Sequence, residues 1–294
     1  MLFLLALVVD GALAGAIYAL IGLGFVVVYK ASRVINFALG EWLMLGALLG
    51  AVGVYRLALG LPGALLAACA GMIAFAALFN RLVLRRLVGR PVVALIMVTL
   101  GLGALMRGAA ALAFRGIPGA VALPLPPDAL AVGGLFVSVD KLVAGGVAAL
   151  AVGTLSAIFR WSRTGVALRA IADDDRAAMA AGIDVQHHLV IAWGTLGVLS
   201  VLAGTLWTSV ASGGIGLVLV GLKVFPVVVI GGLDSIPATI VAALLVGVLE
   251  SLVAGYVDPM LGAGFSSVAP FVLIIAVLFT RPYGLFGGAD VRRV

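Results

Sequence analysis

Nine apolar segments close to the length of a bilayer crossing dominate the sequence, at about residues 3–29, 37–55, 61–79, 92–114, 139–159, 189–210, 215–232, 238–257 and 267–280. A helix needs about 20 such residues to cross ~30 Å of hydrocarbon, whereas a membrane barrel would show segments of about ten residues with alternating hydrophobicity. Within hydrocarbon, backbone N–H and C=O groups must find their partners inside the segment, so these stretches can only be helices. The expected fold is therefore all-α: a polytopic membrane helical bundle with about eight crossings among the eight or nine apolar segments, forming a single transmembrane domain over residues 1–294. Composition agrees, because only 10% of the residues are charged and the mean hydropathy is +1.32, against roughly 25% charged in soluble chains. The opening Met1-Leu-Phe-Leu-Leu-Ala-Leu-Val-Val, with Ala12-Leu-Ala14 behind it, resembles a secretory signal but has no basic n-region. Its apolar pattern also runs past that point, so it reads as a retained first segment.

Charge placement orients the bundle. Lys30 with Arg33, the cluster Arg81, Arg85, Arg86 and Arg90, the group Arg160, Arg163, Arg169 and Arg176, and the tail Arg281, Arg292 and Arg293 fall on one side if every segment crosses. By the positive-inside rule that side is the cytoplasm, which accounts for the net charge of +6 and removes any need for a nucleic-acid partner. Nine crossings would put the amino terminus outside. The first segment, broken by Asp10, and the seventh, interrupted by Lys223 and Pro226, are the ones that would enter without crossing. Small residues at helix-contact spacing, such as Gly11 with Gly15 and Gly46 with Gly50, indicate close helix packing.

The longest polar passage on the cytoplasmic side runs over residues 160–188. Thr164 is placed to cap a helix there, and Gly182 to end it. Arg169 and Asp173, four residues apart, are positioned to pair, while Leu168, Ile171, Ala172, Ala178 and Met179 form a modest apolar face. Two readings stand: a solvated connector, or a helix that enters a groove on another protein. On the outer side, Arg115 to Asp128 is rich in proline and reads as a stiff connector or a contact for an external protein. The segment Gly231-Gly232-Leu-Asp234-Ser235-Ile-Pro237 breaks helix geometry and restarts it with proline near the next helix start. It is a tight cytoplasmic turn, open to a second contact with a cytoplasmic partner.

Ionisable residues inside apolar segments cost about 2.5–3.5 kcal/mol at a helix centre on insertion scales and mark pathways or buried pairs. Four stand out: Glu41, Arg107, Lys223 and Glu250. Asn36, Glu41 and Lys223 are candidates for a polar route for a small-molecule substrate; the other reading has Glu41 or Glu250 paired with a cation solely to satisfy burial. No catalytic set is evident. The nearest approach to a phosphate loop, Gly216 to Gly221, continues Leu222-Lys223-Val224 within an apolar segment. His187 and His188 are adjacent at the edge of a span, where neither is placed to serve as base to a serine inside the bundle, and with no other clustered ligands they make a poor metal site. Cys69 stands alone in an apolar run, so neither a disulfide nor a thiolate metal centre is expected. The expectations are no enzyme activity, no metal, and no cofactor bound by this chain.

With these residues laid out, the chain resembles the permease subunits of branched-chain amino acid ABC transporters, of the type without a large extra domain. Gly15-Ala-Ile-Tyr-Ala-Leu-Ile-Gly-Leu-Gly24 with Val34-Ile-Asn-Phe-Ala-Leu-Gly-Glu41 is similar to the family's amino-terminal signature. Thr164-Gly-Val-Ala-Leu-Arg-Ala with Ala181-Gly-Ile-Asp184 resembles its cytoplasmic coupling loop. Gly221-Leu-Lys-Val-Phe225, the turn at Gly231 and the tail Arg281-Pro-Tyr-Gly-Leu-Phe-Gly287 resemble its carboxy-terminal signatures. The chain departs from the pattern at Leu39, where the family often has a polar residue, and at Asp234, where glycine is usual.

The resemblance implies one permease subunit of a binding-protein-dependent importer in the bacterial inner membrane, carrying branched-chain or related hydrophobic amino acids. Its partners would be a second, identical or related permease, two ATPase subunits that hold ATP and magnesium, a periplasmic solute-binding protein, and membrane lipid. Residues 160–188 would then be the coupling loop, with Leu168, Arg169, Ile171, Asp173, Ala178, Met179 and Gly182 meeting the ATPase. Related permeases of urea or short amides, an ion-coupled secondary transporter and a membrane-embedded enzyme are the alternatives.

Overall fold

Helices form at all nine apolar segments in the computed structural model, which describes residues 1–87, 91–124, 129–132, 135–211, 213–262 and 264–281. They are α1 (Leu2–Ser32), α2 (Leu39–Tyr55), α3 (Gly60–Phe79), α5 (Val92–Ala113), α6 (Val139–Trp161), α9 (Val185–Val210), α10 (Leu217–Gly231), α11 (Ile236–Tyr256) and α13 (Phe265–Thr280). Helix α3 continues through a π turn, Asn80–Leu84, into the short α4 (Arg85–Leu87). Two further helices, α7 (Arg163–Asp173) and α8 (Asp175–Ala180), a single turn, α12 (Asp258–Leu261), and a 3-10 turn, Gly214–Gly216, are also present among the described residues. Six helices are long and apolar enough to cross a membrane, while α2, α10 and α13 are shorter, at 17, 15 and 16 residues. Two short strands, β1 (Ala129–Val132) and β2 (Leu135–Ser138), pair antiparallel ahead of α6. Runs of four residues carry too little periodicity to be read from sequence. Arg90, Leu125 to Asp128, and the tail from Pro282 lie outside the described residues.

Helix α1 is the axis of the bundle. From Gly15 to Val28 it is buried without a break, against α6, α9, α10 and α11. Its close approach to α11 depends on glycine: a Cβ at Gly247 would lie 2.4 Å from the Gly11 carbonyl oxygen and 2.7 Å from the Gly15 Cα. The same device brings α2 onto α10, where a Cβ at Gly221 would lie 2.3 Å from the Gly40 Cα. Without water to drive hydrophobic association, such backbone proximity is what holds membrane helices together. Trp42, Phe75, Phe79 and Trp193 interlock α2, α3 and α9, with ring centroids 5.0–6.4 Å apart.

Polar contacts identify the two faces. On one, Arg33 after α1, Ala172 in α7 and Asp234 after α10 come together. On the other, Lys141 at the start of α6 donates to Asp10 at 2.5 Å, Arg56 donates to the Arg115 carbonyl at 3.1 Å, and the Gly214 N–H donates to the Gly119 carbonyl at 2.9 Å. There, too, the Ser266 hydroxyl and N–H donate to Asp258 at 2.7 and 3.0 Å, holding that carboxyl below the usual carboxylate range. The nine apolar helices alternate between these faces, so every basic cluster within the described residues falls on the Arg33 side. Neither α1 nor α10 turns back. The short α2 is reached through the non-helical stretch at 33–38, which dips inward from the cytoplasmic face before the helix begins.

Adding a methyl group at Gly221 forces α2 and α10 apart, and overpacking of this kind costs about 1–3 kcal/mol. Gly221→Ala should lower the melting temperature of the purified protein in detergent by several degrees. Gly146→Ala, at a position in α6 where the added Cβ meets nothing within 4 Å, should leave it unchanged or raise it.

Candidate functional site

Between α2, α5 and α10 lies a cavity of about 230 Å³. The dip at 33–38 supplies Asn36, the first turn of α2 supplies Glu41, and α5 supplies Gly103 and Arg107. Gly103 lies midway along α5, so the cavity sits away from both faces of the bundle. Its remaining wall is apolar and includes Leu39, Leu100, Leu222 and Phe225.

The sequence of α5 suits this role. A Cβ at Gly103 would lie 3.0 Å from the Glu41 carboxylate, so glycine there gives the carboxylate its room. Arg107, one turn further on, brings its Nε to 3.5 Å from Glu41 Oε1. Glu41 is 4% exposed, whereas the Arg107 side chain is 47% exposed. Asn36 is fully buried; its Oδ1 accepts from the Ala38 N–H at 3.0 Å and so helps to start α2.

Lys223, the third residue assigned to the route from sequence, is placed elsewhere. Its Nζ donates to Glu250 Oε1 at 2.5 Å, and the Tyr18 hydroxyl donates to Glu250 Oε2 at 2.6 Å. Tyr18 in turn stacks on Trp207, with centroids 5.4 Å apart. This triad joins α10, α11 and α1 outside the cavity. Helix geometry explains the placement, since Lys223 leaves α10 on a different side from the cavity-lining Leu222 and Phe225. Arg107 and Glu250 were visible in the sequence as intramembrane charges, but their partners are far away along the chain.

On the cytoplasmic face, Ser162 rather than Thr164 caps α7, accepting from the Gly165 N–H at 3.0 Å. Asp174 caps α8, and Asp184 caps α9 by accepting from the His187 N–H at 3.0 Å, which holds its carboxyl below the usual range. Gly182 ends α8 with φ +83°; its N–H reaches the Met179 carbonyl, and the Ile183 N–H reaches that of Ala178. This is the helix-ending pattern that glycine favours. The apolar face expected to enter a partner groove is turned inward instead. Leu168 packs with Val27, Ala31, Phe159, Leu189 and Ala192, and Ile171, Ala172 and Ala178 are buried as well. Met179 is exposed, together with Trp161 and Val166. Arg169 does not pair with Asp173 but donates to the Phe159 and Arg160 carbonyls at the end of α6, where a cation complements the helix dipole.

A residue read only as a topological charge joins these parts. Arg33 adopts φ 54° after α1, donates from Nη1 to both Asp234 oxygens at 2.9 and 3.0 Å, and donates from Nη2 to the Ala172 carbonyl at 2.5 Å. Lys30 adds a bond from Nζ to the Asp234 carbonyl at 2.9 Å. Asp234 follows Gly231 and Gly232, the latter at φ +94°, and precedes Ser235, whose hydroxyl caps α11. One guanidinium thus binds the cytoplasmic helices to the turn at the end of α10, and α10 is a wall of the cavity.

A bundle of alternating apolar helices with a charged cavity held away from both faces is the build of a membrane permease. The pattern of the family described as "Branched-chain amino acid transport system / permease component" matches residues 7–278, and the chain belongs to that family. It is 30% identical to the high-affinity branched-chain amino acid transport system permease protein BraD of Pseudomonas aeruginosa, over 97% of this chain and 96% of that one. It is 29% and 28% identical to the corresponding LivH proteins of Salmonella typhimurium and Escherichia coli, over 100% of this chain and 98% of each. The chain is a multi-pass transport permease of the cell's inner membrane.

Removing one partner of a buried ion pair strands the other, at a cost of about 3 kcal/mol or more. Lys223→Met should therefore destabilise the purified protein strongly, and the double change Lys223→Met with Glu250→Gln should recover much of the loss in thermal unfolding.

Proposed function

We propose that this chain is the permease subunit of a binding-protein-dependent ABC importer for branched-chain or related hydrophobic amino acids. The substrate class is supported by relatives of this name that match along the whole chain. The observation that carries the mechanism is the Arg33 linkage between residues 160–188 and the cavity wall α10. In this reading two permease subunits form the path, two ATPase subunits hold ATP and magnesium below residues 160–188, and a binding protein delivers the solute from the opposite face. Asn36 and Glu41 lie on the path. Lys223 serves it indirectly, by fixing α10 through Glu250.

The permease is the passive element. ATP binding closes the ATPase pair and draws α7 and α8 with it; Arg33 passes that displacement to Asp234 and hence to α10. Shifting a two-state equilibrium from 1:99 to 99:1 takes about 5.5 kcal/mol of differential binding, within reach of two nucleotides. The surface offered to the ATPase consists of Trp161, Val166, Met179 and the exposed edge around Asp173 and Gly182, with the turn at Gly231, Gly232, Asp234 and Ser235 close behind. Leu168, Ile171 and Ala178 hold the segment onto the bundle, and Arg169 orients it.

The test is uptake by sealed proteoliposomes. With the ATPase subunits, the second permease and the binding protein present, leucine should accumulate on addition of ATP. The chain alone should give no uphill uptake, whether or not an ion gradient is imposed. Ion-driven accumulation by the chain alone would refute the proposal. Met179→Asp should cut solute-stimulated ATP hydrolysis at least fivefold while membrane insertion and thermal stability remain as in wild type; unchanged stimulation would remove Met179 from the contact.

A further inference from the structure

The two intramembrane acid–base pairs differ in a way that bears on what the cavity holds. Glu250 is fully engaged, by Lys223 at 2.5 Å and Tyr18 at 2.6 Å. Glu41 is buried, yet its one ionic contact is Arg107 Nε at 3.5 Å, and its carboxylate forms no hydrogen bond among the described residues. Arg107, whose side chain is 47% exposed, has Glu41 as its one ionic contact among those residues, and Asn36, 1% exposed, keeps an Nδ2 group without a partner. Buried charges are ordinarily paired and hydrogen-bonded, and a carboxylate removed from water with so few partners is under-satisfied. The under-satisfied Glu41 carboxylate, the unpartnered Asn36 amide and the half-exposed Arg107 guanidinium, one anionic acceptor and two donors, line a single cavity whose other walls include Leu100, Leu222 and Phe225.

A ligand that brings an ammonium to Glu41 and a carboxylate to Arg107 and Asn36 completes all three. An α-amino acid carries these groups on one carbon, matching the short Glu41–Arg107 separation, and its side chain is left for the apolar wall. We infer that the cavity between α2, α5 and α10 is an intramembrane binding site for the zwitterionic head of an apolar amino acid, with Glu41 binding the ammonium, Arg107 and Asn36 the carboxylate, and Leu100, Leu222 and Phe225 the side chain. This rests on the amino-acid transport reading and goes beyond it: the permease itself reads the solute. A neutral amide or urea brings no cation to Glu41 and no anion to Arg107, and sites built around polar groups discriminate strongly against analogues that lack the matching groups.

The test is equilibrium binding of radiolabelled leucine to the permease–ATPase complex in lipid nanodiscs, with no binding protein and no nucleotide. The competitors are leucinamide, which keeps the ammonium, and 4-methylpentanoate, which keeps the carboxylate. Wild type should prefer leucine to either analogue by at least tenfold. Glu41→Gln should weaken leucine and leucinamide at least tenfold and spare 4-methylpentanoate. Arg107→Gln should weaken leucine and 4-methylpentanoate and spare leucinamide. Loss of all three ligands alike in each variant, or no change in either, would overturn the site, as would a wild-type complex that binds acetamide or urea in preference to leucine. If ATP-driven leucine uptake persists while this crossed pattern is absent, the site fails and the transport reading stands; if wild type neither takes up nor binds leucine, both fail.

Discussion

A charge within the bilayer finds no water to bind, and this one constraint sorts every ionisable side chain in the bundle. Where a charge serves structure, its partners close on it, as Lys223 and Tyr18 close on Glu250. Where a charge is left with a loose contact and open space beside it, as with Glu41 and Arg107, the space is kept by design: glycine at position 103 holds the α5 backbone against the carboxylate without filling the gap. The contrast between the two pairs separates a closely partnered charge from a loosely partnered one, which the presence of charge alone does not.

The same constraint makes the bundle rigid where it needs to be and jointed elsewhere. Glycine contacts bring α1 against α11 and α2 against α10 at backbone distance. The cytoplasmic helices are held differently, by a small apolar cluster around Leu168 and by Arg33. The Arg33–Asp234 pair is half exposed, at 53% and 57%, and pairs of that kind contribute about 1 kcal/mol or less to stability. Its significance is geometric. One planar guanidinium from the first half of the chain spans a helix end and a turn that both belong to the second half, at the point where 33–38 begins its dip toward the cavity.

Much of this was legible in the sequence because hydrophobic length alone fixes helices in a membrane: the nine apolar helices lie where the hydropathy places them, and their basic ends share one face. Gly182 and Pro237 fall at the helix termini that their backbone preferences dictate. What could not be read was the direction in which side chains point. The apolar residues of α7 looked like a docking face because amphipathic periodicity reveals a stripe without saying whether it meets the chain's own bundle or another protein. Lys223 looked like a path residue for the same reason: its charge is evident in the sequence, its partner 27 residues away is not. Arg33, among the basic residues that set orientation, gave no signal of its second role, which requires contacts 139 and 201 residues away along the chain.

The central claim is that motion at the cytoplasmic helices reaches the cavity through Arg33. Spin labels at Leu100 and Leu222, on opposite walls of the cavity, introduced in a Cys69→Ala background of the assembled transporter, report its width directly. The account predicts that the distance distribution shifts when a non-hydrolysable ATP analogue binds, and that Arg33→Ala abolishes the shift while nucleotide binding persists. An equal shift in the Arg33→Ala transporter would contradict it.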